Sequence, residues 1–97
     1  MEIWMVCIEL IAQTGDDGSP EKIGFRNITT WADSKETAVS KIRDYIESFG
    51  WHLVSVERAR AVSEDGEYGD LELDQIERTR DNPNAIILGT FHTYKTN

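Results

Sequence analysis

The middle of the chain contains one strongly amphipathic helix, and the rest of the fold has to be built around it. Apolar residues recur there at spacings of one, three and four, which places them on one stripe of a helix. They are Ala38, Val39, Ile42, Tyr45, Ile46 and Phe49. Asp33 and Glu36 fit a capping box at the start, and Gly50 suits the left-handed residue that ends a helix. The sequence therefore predicts a helix over residues 33–49 that docks on a sheet.

Strands are predicted on both sides of this helix. Residues 2–12 are apolar on both faces, which is typical of an interior strand. Residues 22–32 have one polar face, which indicates an edge or half-exposed strand, and a turn-rich loop at residues 13–21 joins the two. The helix leads directly into a strand at residues 51–62. A strand, a helix and a strand in this order imply a right-handed crossover, and residues 2–12 fit between the two parallel strands.

A short second helix is predicted over residues 70–81, with Asp70 as its cap and a thin apolar stripe. The stripe consists of Leu71, Leu73 and Ile76. The last strand runs from residue 85 to about residue 95, and Gly89 within it indicates a bulge or a close backbone approach. The 97 residues are expected to form a single α+β domain. It is predicted to be a two-layer sandwich of about four mostly antiparallel strands, in the order β-β-α-β-α-β.

The formal charge of −8 is concentrated in one segment. Every charged residue from Glu64 to Glu77 is acidic, whereas acids and bases nearly balance elsewhere. This pattern disfavours a nucleic-acid partner, because phosphate contacts need clustered lysine and arginine. It suits a basic protein partner, a cation or a solvated surface. No membrane span or signal peptide is expected, and the single cysteine, Cys7, is predicted to be a buried free thiol of a cytoplasmic protein.

The acidic segment contains one candidate site for a partner protein. Its residues are Glu67, Tyr68, Asp70 and Glu72. Carboxylates around an aromatic ring suit a basic surface, because the charges steer the encounter and the ring supplies an apolar contact. The alternative is a loop that serves only solubility. The glycines do not fall at the positions of a calcium-binding loop, so no metal site is predicted.

A second candidate is a small-molecule pocket near His92 and Tyr94 on the last strand. Hydroxyl groups flank His92, so a general base is conceivable, but no nucleophile elbow or oxyanion loop accompanies it. No catalytic residue is therefore assigned, no cofactor is expected, and an enzyme is not favoured. The three tryptophans are predicted to pack in the core rather than to line a pocket.

These patterns favour a small non-catalytic protein-interaction domain. If the main helix covers one sheet face and the short helix cannot cover the other, the open face needs a partner. A homodimer that packs sheet against sheet is the expected solution. The alternatives are an acidic inhibitor or immunity-type protein that binds a basic partner, and a small-molecule-binding or enzymatic domain with its pocket near His92.

Overall fold

The computed structural model describes residues 1–12 and 22–94. The predicted loop at residues 13–21 and the end of the last predicted strand, at residue 95, lie outside the described residues. The elements are β1 (Glu2–Ala12), β2 (Lys22–Ala32), α1 (Lys35–Glu47), β3 (His52–Ala61), α2 (Asp70–Arg80) and β4 (Ile86–Tyr94). This is the α+β fold, with the element order, that the sequence predicts.

The strands form one antiparallel sheet with the order β3-β1-β2-β4. β1 lies between β2 and β3 and is antiparallel to both, so the parallel orientation of β2 and β3 and the interior position of β1 are confirmed. The prediction that β2 is an edge or half-exposed strand is wrong, because β4 pairs with it. The face of β2 that looks polar in the sequence is covered in the structure. Ile28 and Thr30 on that face are fully buried, and the Arg26 guanidinium lies over the rings of Trp51 and Phe91.

The N-terminus of α1 is capped by Ser34, not by Asp33 as predicted. Ser34 Oγ accepts a hydrogen bond of 3.2 Å from the backbone N–H of Thr37, which satisfies one of the amides that helix geometry leaves free. Asp33 lies instead 3.9 Å from the terminal amino group of Met1. Serine and aspartate cap equally well, so adjacent residues of these two types leave the first residue of the helix undecided in the sequence.

The C-terminus of α1 is built as predicted. Gly50 has a φ of 81°, a conformation that glycine adopts without the steric penalty of a side chain. The Gly50 N–H donates to Glu47 O over 3.0 Å, and the Trp51 N–H donates to Ile46 O over 3.3 Å. These paired bonds are those of a Schellman ending. They turn the chain directly into β3.

α1 covers one face of the sheet with an apolar core. The buried members of this α1 core are Val6, Ile8, Leu10, Ala12, Ile28, Ala32, Ala38, Ile42 and Ile46. Trp4 and Trp51 are among the half-buried residues that pack around it. Each large side chain in it contributes roughly 1.5–3 kcal/mol when fully buried. Most of the apolar stripe predicted for the helix therefore faces the sheet. Phe49 at its end does not, because it is 49% exposed and packs against the rings of Tyr45 and Trp51.

α2 packs on the opposite face and covers only part of it. Ile76 joins Ile3 and Met5 in a small α2 core, which Trp31, Val62 and Tyr68 surround. The predicted apolar stripe is otherwise wrong, because Leu71 is 75% exposed and Leu73 is 44% exposed. Gln75 and Thr79 are the other helix residues that become buried. Two of the three residues that α2 buries are therefore polar, whereas the sequence predicts an apolar buried face.

Candidate functional site

A groove of about 610 Å³ runs between α2 and β4 on the face that α2 covers. The sheet contributes Asn27, Ile87, Leu88, Gly89, Thr90 and His92, and the helix with its cap contributes Gly69, Asp70, Leu71, Glu72, Asp74, Gln75 and Arg78. A second, much smaller cavity of about 20 Å³ lies near Cys7 and Arg58. Sites for ligands are concave, so this groove is the candidate site.

The floor of the groove contains a β-bulge in β4. Arg26 of β2 is opposite Phe91 and Ile28 is opposite Leu88, so Asn27 alone faces the pair Gly89 and Thr90. A bulge leaves backbone groups of the ladder without partners. The predicted irregularity at Gly89 is confirmed.

Gln75 on α2 supplies the missing partners of this bulge. Its Nε2 donates to Asn27 O over 3.0 Å and to Ile87 O over 2.9 Å. Arg26 Nε, from β2, donates over 2.6 Å to the carbonyl oxygen of Gly89, which is a residue of the bulge. Buried carbonyl groups need such donors, because an unsatisfied polar group costs about 1–3 kcal/mol. The side chains of α2 and β2 therefore fix the backbone of β4 beneath the groove.

Gly89 is required by the close approach of these elements. A Cβ on this residue would lie 2.8 Å from Gln75 Oε1 and 2.9 Å from Asn27 O. Asn27 O belongs to the backbone of β2, so rotation of a side chain cannot relieve this contact. A glycine at this position lets helix, bulge and neighbouring strand meet.

The helix wall of the groove is one face of α2, whose side chains are exposed except for the buried Gln75. Leu71, Asp74, Gln75 and Arg78 are spaced three, four and seven residues from the first, which places them on one face of α2. Asp74 Oδ2 and Arg78 Nη1 are 3.8 Å apart, and both side chains are mostly exposed. Solvent screens such a pair, so it contributes little to stability. This wall offers one apolar side chain between charges.

The structure brings Asp70 and Glu72 of the predicted acidic site into the groove. Glu72 also has a structural role, because its Oε1 accepts the Gly69 N–H over 3.1 Å at the start of α2. Its Oε2 lies 3.7 Å from Arg60 Nη2. Asp70 is the first residue of α2, and the N-cap is Gly69, not Asp70 as predicted. Asp70 forms no ion pair with another described residue. Acids in a first turn stabilise the helix through its dipole, so both carboxylates also serve the fold.

Glu67 and Tyr68 are not part of the groove lining. Tyr68 packs against the α2 core, its hydroxyl oxygen accepts the Ser63 N–H over 3.1 Å, and the Arg60 guanidinium lies 5.4 Å from its ring centroid. Glu67 is exposed in the loop before α2. The aromatic residue proposed as a partner anchor therefore holds the loop against the sheet.

His92 lines the same groove as Asp70, although the two are remote in sequence. It is exposed, and among residues 1–12 and 22–94 it forms no hydrogen bond with a carboxylate or hydroxyl group. Tyr94 pairs through its backbone with Ile23, and its side chain lies outside what the structure describes. Within the described ranges, histidine, cysteine and acidic side chains do not gather into a possible metal site.

Cys7 lies on the α2 side of the sheet, opposite Arg58 on β3. It is half-buried rather than buried as predicted. Its burial raises the pKa of the thiol, and Arg58 opposes this shift only in part. A thiol with a raised pKa is a weak nucleophile at neutral pH, so Cys7 adds no reactive group to the groove.

The groove combines predicted residues with others that the sequence analysis did not select. Leu71, Asp74, Gln75, Arg78 and Gly89 were missed as site residues. For the four residues of α2, the helical spacing from Leu71 is the available signal, but an apolar stripe through Leu73 and Ile76 competes with it. None of the tryptophans lines the groove, and all pack against the two cores as predicted.

Comparisons with protein-family models, with curated proteins and with solved structures found no match. The described part of the chain contains no helix long and apolar enough to cross a membrane.

Proposed function

We propose that this protein is a non-catalytic interaction domain that binds a basic segment of a partner protein in the groove between α2 and β4. One observation carries the proposal: the groove places carboxylates of α2 beside a strand that has no charged residue. The groove lining contains three carboxylates, those of Asp70, Glu72 and Asp74, and one cationic side chain, that of Arg78. Carboxylates arranged in this way attract lysine and arginine side chains and set their register.

The apolar part of the groove supports the same proposal. Leu71 is 75% exposed at its wall, and Ile87 lines its strand side. These two side chains line the same groove, and apolar surface within a groove that polar residues surround is typical of an interaction site. A basic segment with aliphatic residues between its charges fits both features.

An enzymatic function has less support. Among the described residues His92 lacks a hydrogen-bonded acid or nucleophile, and the Cys7 thiol has a raised pKa. A catalytic site needs at least two groups in an acid–base or nucleophile relationship. The acids of the groove are instead exposed or engaged in helix capping. We therefore place the protein among binding domains.

Self-association through the open part of the sheet remains a second candidate. Ile11 and Ile23 are paired on the α2 side of the sheet, toward the end of β1 opposite the α2 core around Ile3 and Met5. Both are half-buried. Sedimentation equilibrium at micromolar concentration is the test: a dimer that Ile11→Lys dissociates supports a sheet-to-sheet interface, and a monomeric protein excludes it.

The test of groove binding uses a labelled peptide of alternating residues, Arg-Val-Arg-Val-Arg-Val-Arg, with blocked ends. We expect it to bind at low ionic strength and to shift the amide resonances of α2 and β4. Replacing Asp70 and Asp74 together by asparagine should weaken binding about three- to thirtyfold, because each exposed ion pair is worth roughly 0.2–1 kcal/mol and freed Arg78 adds repulsion.

The matched control is the double replacement of Asp44 and Asp81 by asparagine. It changes the net charge by the same amount, and both residues are exposed outside the groove. Its affinity for the peptide should stay within about twofold of the parent at moderate salt, because separated surface charges are screened. Equal losses in the two double variants would contradict a specific site, as would absence of peptide binding.

A further inference from the structure

The two edges of the sheet differ in how they are protected. β3 carries Glu57, Arg58 and Arg60, and its pairing with β1 has two register shifts. Charges and bulges are the usual means by which proteins keep an edge strand from pairing with another chain. β4, over Ile86–Tyr94, contains no acidic residue, no lysine, no arginine and no proline. Its outer edge has no neighbouring strand among the described residues.

The groove reaches the backbone of this edge, which no charged side chain protects and which only the bulge at Gly89 and Thr90 interrupts. Consecutive residues Ile87, Leu88, Gly89 and Thr90 line it. Side chains of successive strand residues point to opposite faces, so a surface that touches every residue in turn includes the main chain. The groove therefore offers backbone hydrogen-bonding groups along one side and the side chains of α2 along the other.

We propose that the partner segment binds as an additional β-strand, paired with the outer edge of β4 and with alternate side chains directed toward α2. This inference rests on the proposed function and specifies the conformation of its ligand. In strand addition the main chain supplies affinity and pockets for alternate side chains supply specificity. Asp70 and Asp74 would then select basic residues at every second position, and Leu71 would contact the aliphatic parts of these side chains.

The bulge gives the edge a fixed shape before any partner arrives. Gln75 holds the carbonyl groups of Asn27 and Ile87, and Gly89 packs directly against both Gln75 and Asn27. A binding surface that is already ordered avoids part of the entropy loss of association. The same bulge bends β4 at Gly89 and Thr90, so the added strand is expected to be short.

A second copy of this chain is a poorer occupant of the edge than a basic segment. Two β4 strands paired antiparallel about a twofold axis perpendicular to the sheet would place both α2 helices on the same face. Their groove walls would then face each other, with Asp70 and Asp74 of one copy near those of the other. Like charges brought together oppose association, and the bulge disfavours a long flat pairing.

The test uses the arginine–valine peptide in two backbone-methylated forms. One carries N-methyl groups on the arginine nitrogens and the other on the valine nitrogens. Alternate N–H groups of a strand point to opposite edges, so each form blocks one edge while the charge and side chains stay the same. We expect one form to bind like the parent peptide and the other to lose at least about tenfold in affinity, since several main-chain hydrogen bonds are removed.

The outcomes separate this inference from the proposed function. If both methylated peptides bind equally well but the Asp70→Asn, Asp74→Asn protein binds less, groove binding stands and strand addition is overturned. If the unmodified peptide does not bind, or binds that variant undiminished, the proposed function fails and the inference fails with it. Slower hydrogen exchange of previously unprotected β4 amides in the complex is the second result that strand addition requires.

Discussion

α1 and α2 pack on opposite faces of one sheet, but the contacts that hold them differ in kind. α1 buries Ala38, Ile42 and Ile46 in a continuous apolar core. α2 buries one large apolar side chain, Ile76, and otherwise attaches through Gln75 and Thr79. Apolar burial is worth roughly 1.5–3 kcal/mol per large side chain, whereas a hydrogen bond gives a net 0.5–1.5 kcal/mol or so. α2 should therefore be the more easily detached helix.

The polar attachment of α2 is nevertheless specific. Thr29 Oγ1 and Thr79 Oγ1 are 2.6 Å apart and fully buried, Trp31 Nε1 donates to Thr79 O over 2.7 Å, and Thr79 Oγ1 donates to Gln75 O over 2.9 Å. Such bonds need defined distances and angles. α1 is held mainly by the amount of surface it buries, and α2 mainly by geometry. That geometry defines the position of the groove wall.

The largest expected effect is on the α1 side. Ile42→Ala removes a side chain that is 1% exposed and should lower the free energy of unfolding by about 2–5 kcal/mol, the range for a large-to-alanine change in a core. Urea denaturation measures it. Leu73→Ala on α2 is the control and should change stability by less than about 0.5 kcal/mol. Similar losses in the two variants would contradict the assignment of the core to α1.

The second-largest loss of stability is expected on the α2 side. Thr79→Val leaves Thr29 Oγ1 without its partner in a buried place, which should cost about 1–3 kcal/mol. Native-state hydrogen exchange should show faster exchange in α2 than in α1, because the helix held by this contact opens locally. Valine at both Thr29 and Thr79 should recover part of the loss. If the stability losses of the two single variants simply add up in the double variant, the hydrogen bond between the two hydroxyl groups is not the source of the loss.

A smaller effect tests how α1 begins. Ser34→Ala removes the oxygen that accepts the Thr37 N–H and should lower the free energy of unfolding by about 1 kcal/mol, the usual value of an N-cap. Asp33→Ala should cost less than about 0.5 kcal/mol, because its ion pair with the terminal amino group is exposed. Thermal denaturation ranks the two variants. The opposite ranking would restore Asp33 as the cap.

The smallest effect on stability is expected at the groove wall. Leu71→Gln should leave the free energy of unfolding within about 0.5 kcal/mol of the parent, because the side chain is exposed. Its affinity for the arginine–valine peptide should fall about two- to fivefold as an apolar contact is lost. Fluorescence anisotropy measures it, with Leu73→Gln as the matched control. Unchanged affinity in Leu71→Gln would remove this residue from the binding surface.

The difference between the helices also explains what could be predicted from the sequence. α1 was predicted because a long apolar stripe with a glycine stop has one physical interpretation. The existence and bounds of α2 were predicted, but its buried face was not, since Gln75 and Thr79 look like surface residues until their partners are known. The interior position of β2 was obscured by Arg26, whose polar head stacks over aromatic rings.

The groove was predictable only in parts. Asp70, Glu72 and His92 were candidates for two unrelated sites, and no pattern in the sequence indicated that α2 would place them along β4. The pairing of β2 with β4 joins residues that are remote in the chain, and hydrophobic alternation carries no information on which strands become neighbours. Gly89 signalled an irregularity because glycine is unusual inside a strand, but its partner Gln75 gave no comparable signal.

Gln75 belongs to the groove lining and to the attachment of α2 at the same time, and this dual position links binding to local folding. The groove exists only in molecules whose helix is docked, so the apparent affinity of a partner is scaled by the docked fraction. A partner that occupies the groove must in turn draw molecules toward the docked state. Substitutions that loosen α2 without touching the groove should therefore act as affinity modulators, and occupancy should be detectable as slower exchange of α2 amides far from the contact.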